Sequence, residues 1–205
     1  MHSAGALRGI SAKVERFCRD RRGVAAIEFA FIVPVLLIMY FITMEASQAI
    51  ETSKKVSRIG SMVADLVTQQ QTVVKANLDA MMKIGKSTLQ PYNRSDPKII
   101  ITAIQMSDDA TPTVTVAWSR KLVGTTYSAD TKPGDTTTVP STLRIRNTFL
   151  IRVESDLGYT PVIAWDGKNA QQQSAGLLST FSHINMSETY YLRPRRSPTI
   201  PCGDC

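Results

Sequence analysis

Residues 24–44 form an apolar run of 21 positions whose only charged side chain is Glu28, and no other feature constrains the fold of this sequence as strongly. At about 1.5 Å of rise per residue, a helix of that length crosses a hydrocarbon core of roughly 30 Å. The run therefore predicts one membrane-spanning helix. Glu28 is its anomaly, because a charge near the bilayer centre costs roughly 2.5 to 3.5 kcal/mol even on the lenient insertion scale. Two readings of it stand. Placed about two turns past Arg21 and Arg22, the carboxylate is shallow enough to reach the head groups, or else it has a specific partner in the membrane. Pro34, eleven positions into the run, removes one backbone hydrogen bond and either kinks the helix or is simply tolerated there.

Charge sets the orientation. Net charge is +7, but residues 1–23 carry six basic side chains (Arg8, Lys13, Arg16, Arg19, Arg21 and Arg22) against Glu15 and Asp20. Without them 18 basic and 15 acidic residues remain, so the high isoelectric point belongs largely to that leader and gives little support to nucleic-acid binding. Six cations precede the span closely and three follow it (Lys54, Lys55 and Arg58), which predicts a cytoplasmic N-terminus and an exported C-terminal part. A cleavable secretory signal fits poorly. Its apolar region would be about 7 to 15 residues long and would end in an Ala-x-Ala-like site, whereas Glu45-Ala46-Ser47-Gln48-Ala49 follows here.

Beyond the span, Ile50, Val56, Ile59, Val63 and Leu66 recur mostly at three- and four-residue steps, so the helix is expected to continue with an amphipathic face. Gln69-Gln70-Gln71-Thr72 dilutes the pattern, which reads as one long helix or as two with a break near 68–72. Val74, Leu78, Met81 or Met82 and Ile84 resume it until Gly85, which with Lys83 and Lys86 reads as a C-terminal signal. Residues 90–97 are rich in turn formers. β-Branched runs at 98–106 and 113–121 then read as a hairpin across residues 107–112, and residues 124–142 as an exposed loop. Residues 143–155 read as a third strand or a pair of short strands, with Arg144, Arg146 and Arg152 on one parity as a solvated face or, less simply, a partner or adhesion patch. Residues 157–165 read as a strand or short helix broken by Pro161, 177–187 as another extended segment, 188–192 as a last strand, and the Pro- and Arg-rich residues 193–201 as an extended, unpacked tail. The expected class is α+β: a single N-terminal transmembrane helix extended into an amphipathic helix, followed by a small antiparallel sheet. The segments are a basic leader (1–23), the span (24–44), an exported helical part (45–90), a β-rich part (91–192) and a tail (193–205).

Gly23 changes the reading of Glu28. A small residue separates the basic segment from the apolar run, the acid is the fifth residue after it, and aromatic Phe29 follows. Residues 21–37, Arg-Arg-Gly-Val-Ala-Ala-Ile-Glu-Phe-Ala-Phe-Ile-Val-Pro-Val-Leu-Leu, resemble a type IV prepilin processing site and, more narrowly, the opening of the TadE/TadF family of pseudopilins of the tight-adherence (Flp) pilus. The resemblance extends over residues 21 to about 50. It implies that a membrane prepilin peptidase cuts between Gly23 and Val24. It further implies that Glu28, with Phe29 beside it, acts in subunit assembly by offsetting the new N-terminal charge of a neighbouring subunit. The implied partners are that peptidase, the pilus assembly machinery, other pilin-like subunits and the inner membrane, with no nucleic acid and no small-molecule substrate. A part of about 160 residues after the span is bulky for the repeating subunit of such a fibre, which favours a minor or initiating pilin. The alternative is a periplasmic interaction protein, permanently anchored and neither processed nor polymerised.

Little in the sequence suggests catalysis. There is no Gly-rich phosphate loop, nucleophile elbow or zinc-protease His pair, and His183 has no acid or nucleophile at a recognisable spacing. No catalytic residue, cofactor or metal site is expected. Cys202-Gly203-Asp204-Cys205 could close a local disulfide in an oxidising compartment, pair between chains, or serve metal or redox chemistry. Cys18 lies in the leader and receives no role.

Overall fold

A computed structural model describes residues 23–161 and 184–205. The readings of the leader, Cys18 and His183, and parts of those at 157–165 and 177–187, lie outside these residues. The chain forms two compact units, one ending at Ala46 and the other running from Ser47 onward.

In the first unit the described residues after Gly23 belong to helix α1 (Val24–Thr68), which contains Pro34. From residue 24 to 43 every side chain except that of Val33 is exposed, with Phe29 at 69% and Phe31 at 73%. A helix that is apolar on all sides and has no protein cover finds its favourable surroundings in lipid, where backbone groups are satisfied within the helix and side chains meet hydrocarbon. Among the described residues α1 is the one helix long and apolar enough to cross a membrane.

The second unit begins where α1 becomes amphipathic. Thr52, Val56, Ile59, Gly60, Val63, Ala64 and Val67 are buried at helical spacing and form one stripe. Residues 69–74 interrupt the helix, and α2 (Lys75–Ser87) adds Leu78, Met82 and Gly85 to the same interior. Gly85 does not end α2, contrary to its reading as a stop signal. It lies inside the helix because a Cβ there would meet Val63 Cγ2 at 2.9 Å and Ile59 Cγ2 at 3.1 Å, so this glycine serves the close approach of the two helices.

The sheet is five-stranded and antiparallel, in the order β3-β2-β1-β4-β5, with β1 (Lys98–Met106), β2 (Val114–Val123), β3 (Thr126–Ser128), β4 (Phe149–Tyr159) and β5 (Ile184–Leu192). Period-two alternation divides β1 between two cores. Ile99, Ile101 and Ala103 join the helices, together with Trp118, Leu122, Ile151 and Val153. Ile104 and Met106 join a smaller cluster with Val114, Val139 and Leu150 on the other side. The fold class is thus α+β, with a long N-terminal apolar helix followed by a small antiparallel sheet.

Three expectations are corrected. Residues 124–142 are not loop throughout: β3 pairs with β2, and residues 134–137 bond β2 through Gly134 N to Val116 O, Val116 N to Asp135 O and Thr137 N to Val114 O. Residues 143–148 are not strand. A 3-10 turn (Ser141–Leu143) and Asn147 at φ 53° precede β4, so Arg144 and Arg146 lie off the strand that carries Arg152. Arg152 is itself largely buried beside Glu154 and donates to Thr137 Oγ1 and Thr138 O, so the three arginines form no common face. Finally, the tail is anchored to the domain, although Arg193, Arg195, Arg196, Pro198 and Thr199 remain exposed. Ile200 is fully buried, because its carbonyl accepts the Trp118 indole N–H at 2.7 Å within the helix-side core.

Candidate functional site

Two places carry the residues singled out from the sequence, and they lie in different units. At the start of α1, Gly23 is exposed and an added Cβ would meet no atom within 4 Å. No packing contact among the described residues therefore demands glycine there. Val24 opens the helix, and Glu28 stands one turn later, at the i+4 spacing that places two side chains on one helix face. Glu28 and Phe29 are both exposed, within a surface of Ile27, Phe31 and Ile32. The arrangement is an ionisable group one helical turn from the first backbone N–H groups of α1, on a surface that is otherwise apolar.

Residues 23–58 match the model of the TadE-like protein family. The N-terminal segment is similar to TadE-like proteins. No curated protein and no solved structure matches the chain. The TadE-like match begins at Gly23, takes in Glu28 and Phe29, and runs through the apolar stretch into the buried stripe as far as Arg58. It therefore joins the membrane-type surface to the first turns that pack under the sheet.

The second place is the anchored tail. The structure pairs Cys202 with Cys205, their Cα atoms 5.6 Å apart. Upstream, Arg195 N donates to Thr68 O at 3.0 Å and the Arg195 guanidinium meets Asp65 at 2.6 Å, so one residue serves both a terminal carbonyl and an acid in the last turn of α1. Val73 donates to Pro201 O and accepts from Gly203 N, making a parallel bridge with Cys202. Asp204 Oδ1 accepts the Lys75 backbone N–H at 2.7 Å. Val74, the residue at the cap position of α2, supplies no side-chain cap, so a carboxylate 129 positions away takes that role. Nothing local in the sequence announces this. The one available hint was a short acid between two cysteines, which gains meaning only once residue 73 is its neighbour.

Beside the strap, Arg120 of β2 grips Asp79 of α2 through two bonds of 2.8 Å, Nε to Oδ1 and NH2 to Oδ2. The hydrogen bond to Asp79, aided by the charges of Asp79 and Asp204, raises the Arg120 pKa above its ordinary value against the opposing effect of burial. Arg120 remains a fixed cation at any working pH, tying α2 to the sheet. Among the described residues, Cys202, Asp204 and Cys205 are grouped closely enough to hold a metal ion, but the thiols that a metal needs are the ones paired here.

Proposed function

We propose that this protein is a pseudopilin or minor pilin of a tight-adherence (Flp, type IVb-like) pilus system, matured by a prepilin peptidase that cuts between Gly23 and Val24. The observation that carries the reading is the placement of Glu28. It is the single acid in the apolar run of residues 24–44, on an exposed helix surface, five residues after an exposed glycine that no packing contact among the described residues demands, within the segment that matches the TadE-like family. That family is associated with the tight-adherence pilus, which supports the assembly role.

Cutting there has two physical consequences. The basic leader departs, and Val24 gains a free amino group whose reference pKa is about 8. This cation adds to the positive end of α1. The nearest acid along the chain is Glu28, but in a fibre the same carboxylate can serve the amino terminus of the neighbouring subunit, and each charge then lowers the other's cost of leaving water. Glu28 thereby works as a register device, favouring the axial offset between subunits that brings the two charges together. The exported part, Ser47 onward, presents the sheet domain to the envelope, where the terminal cysteines meet oxidising conditions.

The test is Glu28→Leu, expressed in cells that make the pilus. Membrane insertion is expected to remain normal or improve, because a charge has left the span, while incorporation and piliation fall sharply. Full piliation with the leucine variant would overturn the register role.

A further inference from the structure

The tail bonds the ends of two helices, at Thr68 and Lys75, and its last contact is made inside the ring formed by the cysteine pair. We propose that oxidation of Cys202 and Cys205 is a locking modification that seats Asp204 on the N-terminus of α2. The co-reactant it requires is a disulfide oxidant that works by thiol–disulfide exchange and leaves as a dithiol.

The geometry supports a division of labour along the tail. Ile200 is anchored in the core, with its carbonyl on Trp118, and Cys202 is held by its bridge to Val73. Residue 202 is thus fixed by the fold. Cys205 is exposed, and Asp204 stands between the two. The same bridge holds Gly203, whose N–H donates to Val73 O, so without the ring the freedom that must be surrendered to hold the carboxylate 2.7 Å from the Lys75 N–H is that of residues 204 and 205. A ring closed from 202 to 205 has surrendered most of it beforehand. The first turn of α2 lacks an acid of its own and its cap position is valine, so the helix relies on Asp204 for the charge that favours its N-terminus.

The chemistry follows from exposure. Cys205 is open to solvent and Cys202 is half-buried, so the Cys205 thiolate attacks the oxidant's disulfide and forms a mixed disulfide. The Cys202 thiolate then attacks Cys205 Sγ, closing the ring and releasing the oxidant as a dithiol. Two electrons pass from the cysteine pair to the oxidant, and the two thiol protons are given up by the pair and taken up by the released dithiol. The export reading enters only in naming where the oxidant is met.

The experiment uses the full chain in detergent micelles with Cys18→Ser, so that the pair supplies the only thiols. Amide hydrogen exchange is followed at residues 73–78 and at 98–106, with and without a thiol reductant and again in oxidised Asp204→Ala. Reduction is expected to speed exchange in the first turn of α2 by roughly fivefold, the factor a typical helix cap is worth, and to leave β1 unchanged. The oxidised Asp204→Ala protein should match the reduced one. Equal protection in the reduced and oxidised proteins would overturn the lock even if Asp204→Ala loosens the turn. A loss of protection that spreads to β1 would also overturn it, by making the ring a global staple. Thiols found reduced in protein taken from membranes would count against export and leave this comparison unaffected.

Discussion

At the scale of single residues, three glycines separate packing from processing. A Cβ on Gly60 would lie 2.7 Å from Tyr190 Cδ2 and 3.0 Å from Ser155 Oγ. The tyrosine ring cannot simply swing aside, because its hydroxyl is bonded to Ser57 on the same helix, and Ser155 donates to Val56 O. Gly85 is hemmed in by the stiff, branched side chains of Val63 and Ile59. Gly60→Ala should therefore lose stability by about 1 to 2 kcal/mol, overpacking outweighing the gain of about 1 kcal/mol in helix propensity. Gly23→Ala should not shift the melting temperature, since open space surrounds that position. Thermal unfolding in detergent compares the two. A Gly60→Ala protein as stable as the parent would mean that α1 and β5 do not approach as closely as described.

At the scale of elements, the central strand carries an inexpensive test of the sheet. Thr102 of β1 is fully buried, paired in register with Ser119 of β2 and Arg152 of β4, and its hydroxyl has no hydrogen-bond partner among the described residues. Replacing an unsatisfied buried hydroxyl with a methyl of the same shape removes a desolvation cost, so Thr102→Val is expected to keep or raise stability, by up to about 1 kcal/mol. A clear loss in urea unfolding would show that the hydroxyl is satisfied in solution. The elements legible from sequence were those encoded locally. Helical spacing in 50–66 and 74–84 announced helix on both sides of Gln69-Gln70-Gln71 but left one long helix or two open, and the structure takes the second; β-branched runs announced β1 and β2. What sequence hid was decided by distant partners. Residues 143–148 alternate like a strand but are drawn into a turn, while Leu143 packs against the outer cluster. The tail has a disordered-looking composition, yet its Ile200 finds a tryptophan 82 positions away. Periodicity records which face of an element is apolar and carries no record of what will cover it.

At the scale of the whole molecule, the two units meet different solvents. The first has apolar side chains exposed on all sides and is suited to lipid; the second packs one face of its sheet against two helices and the other against a smaller apolar cluster, and is suited to water. Cations concentrated ahead of the span, six of them in residues 1–23, hold the N-terminus on the cytoplasmic side in this reading and send the sheet domain outward. The candidate site was readable here because its information is linear: a glycine, an acid five residues on and an apolar run need no tertiary contact to be recognised. The capping role of Asp204 was not, because it exists only once the tail has folded back. Everything proposed for Glu28 depends on whether Val24 becomes an N-terminus. The most direct measurement is therefore the N-terminal residue of the protein, by intact mass and terminal peptide sequencing, in membranes of cells with and without the prepilin peptidase. Val24 is expected at the terminus only when the peptidase is present, with residues 1–23 retained in its absence; an uncut chain in both would contradict the pilin-like maturation and leave an anchored envelope protein in its place.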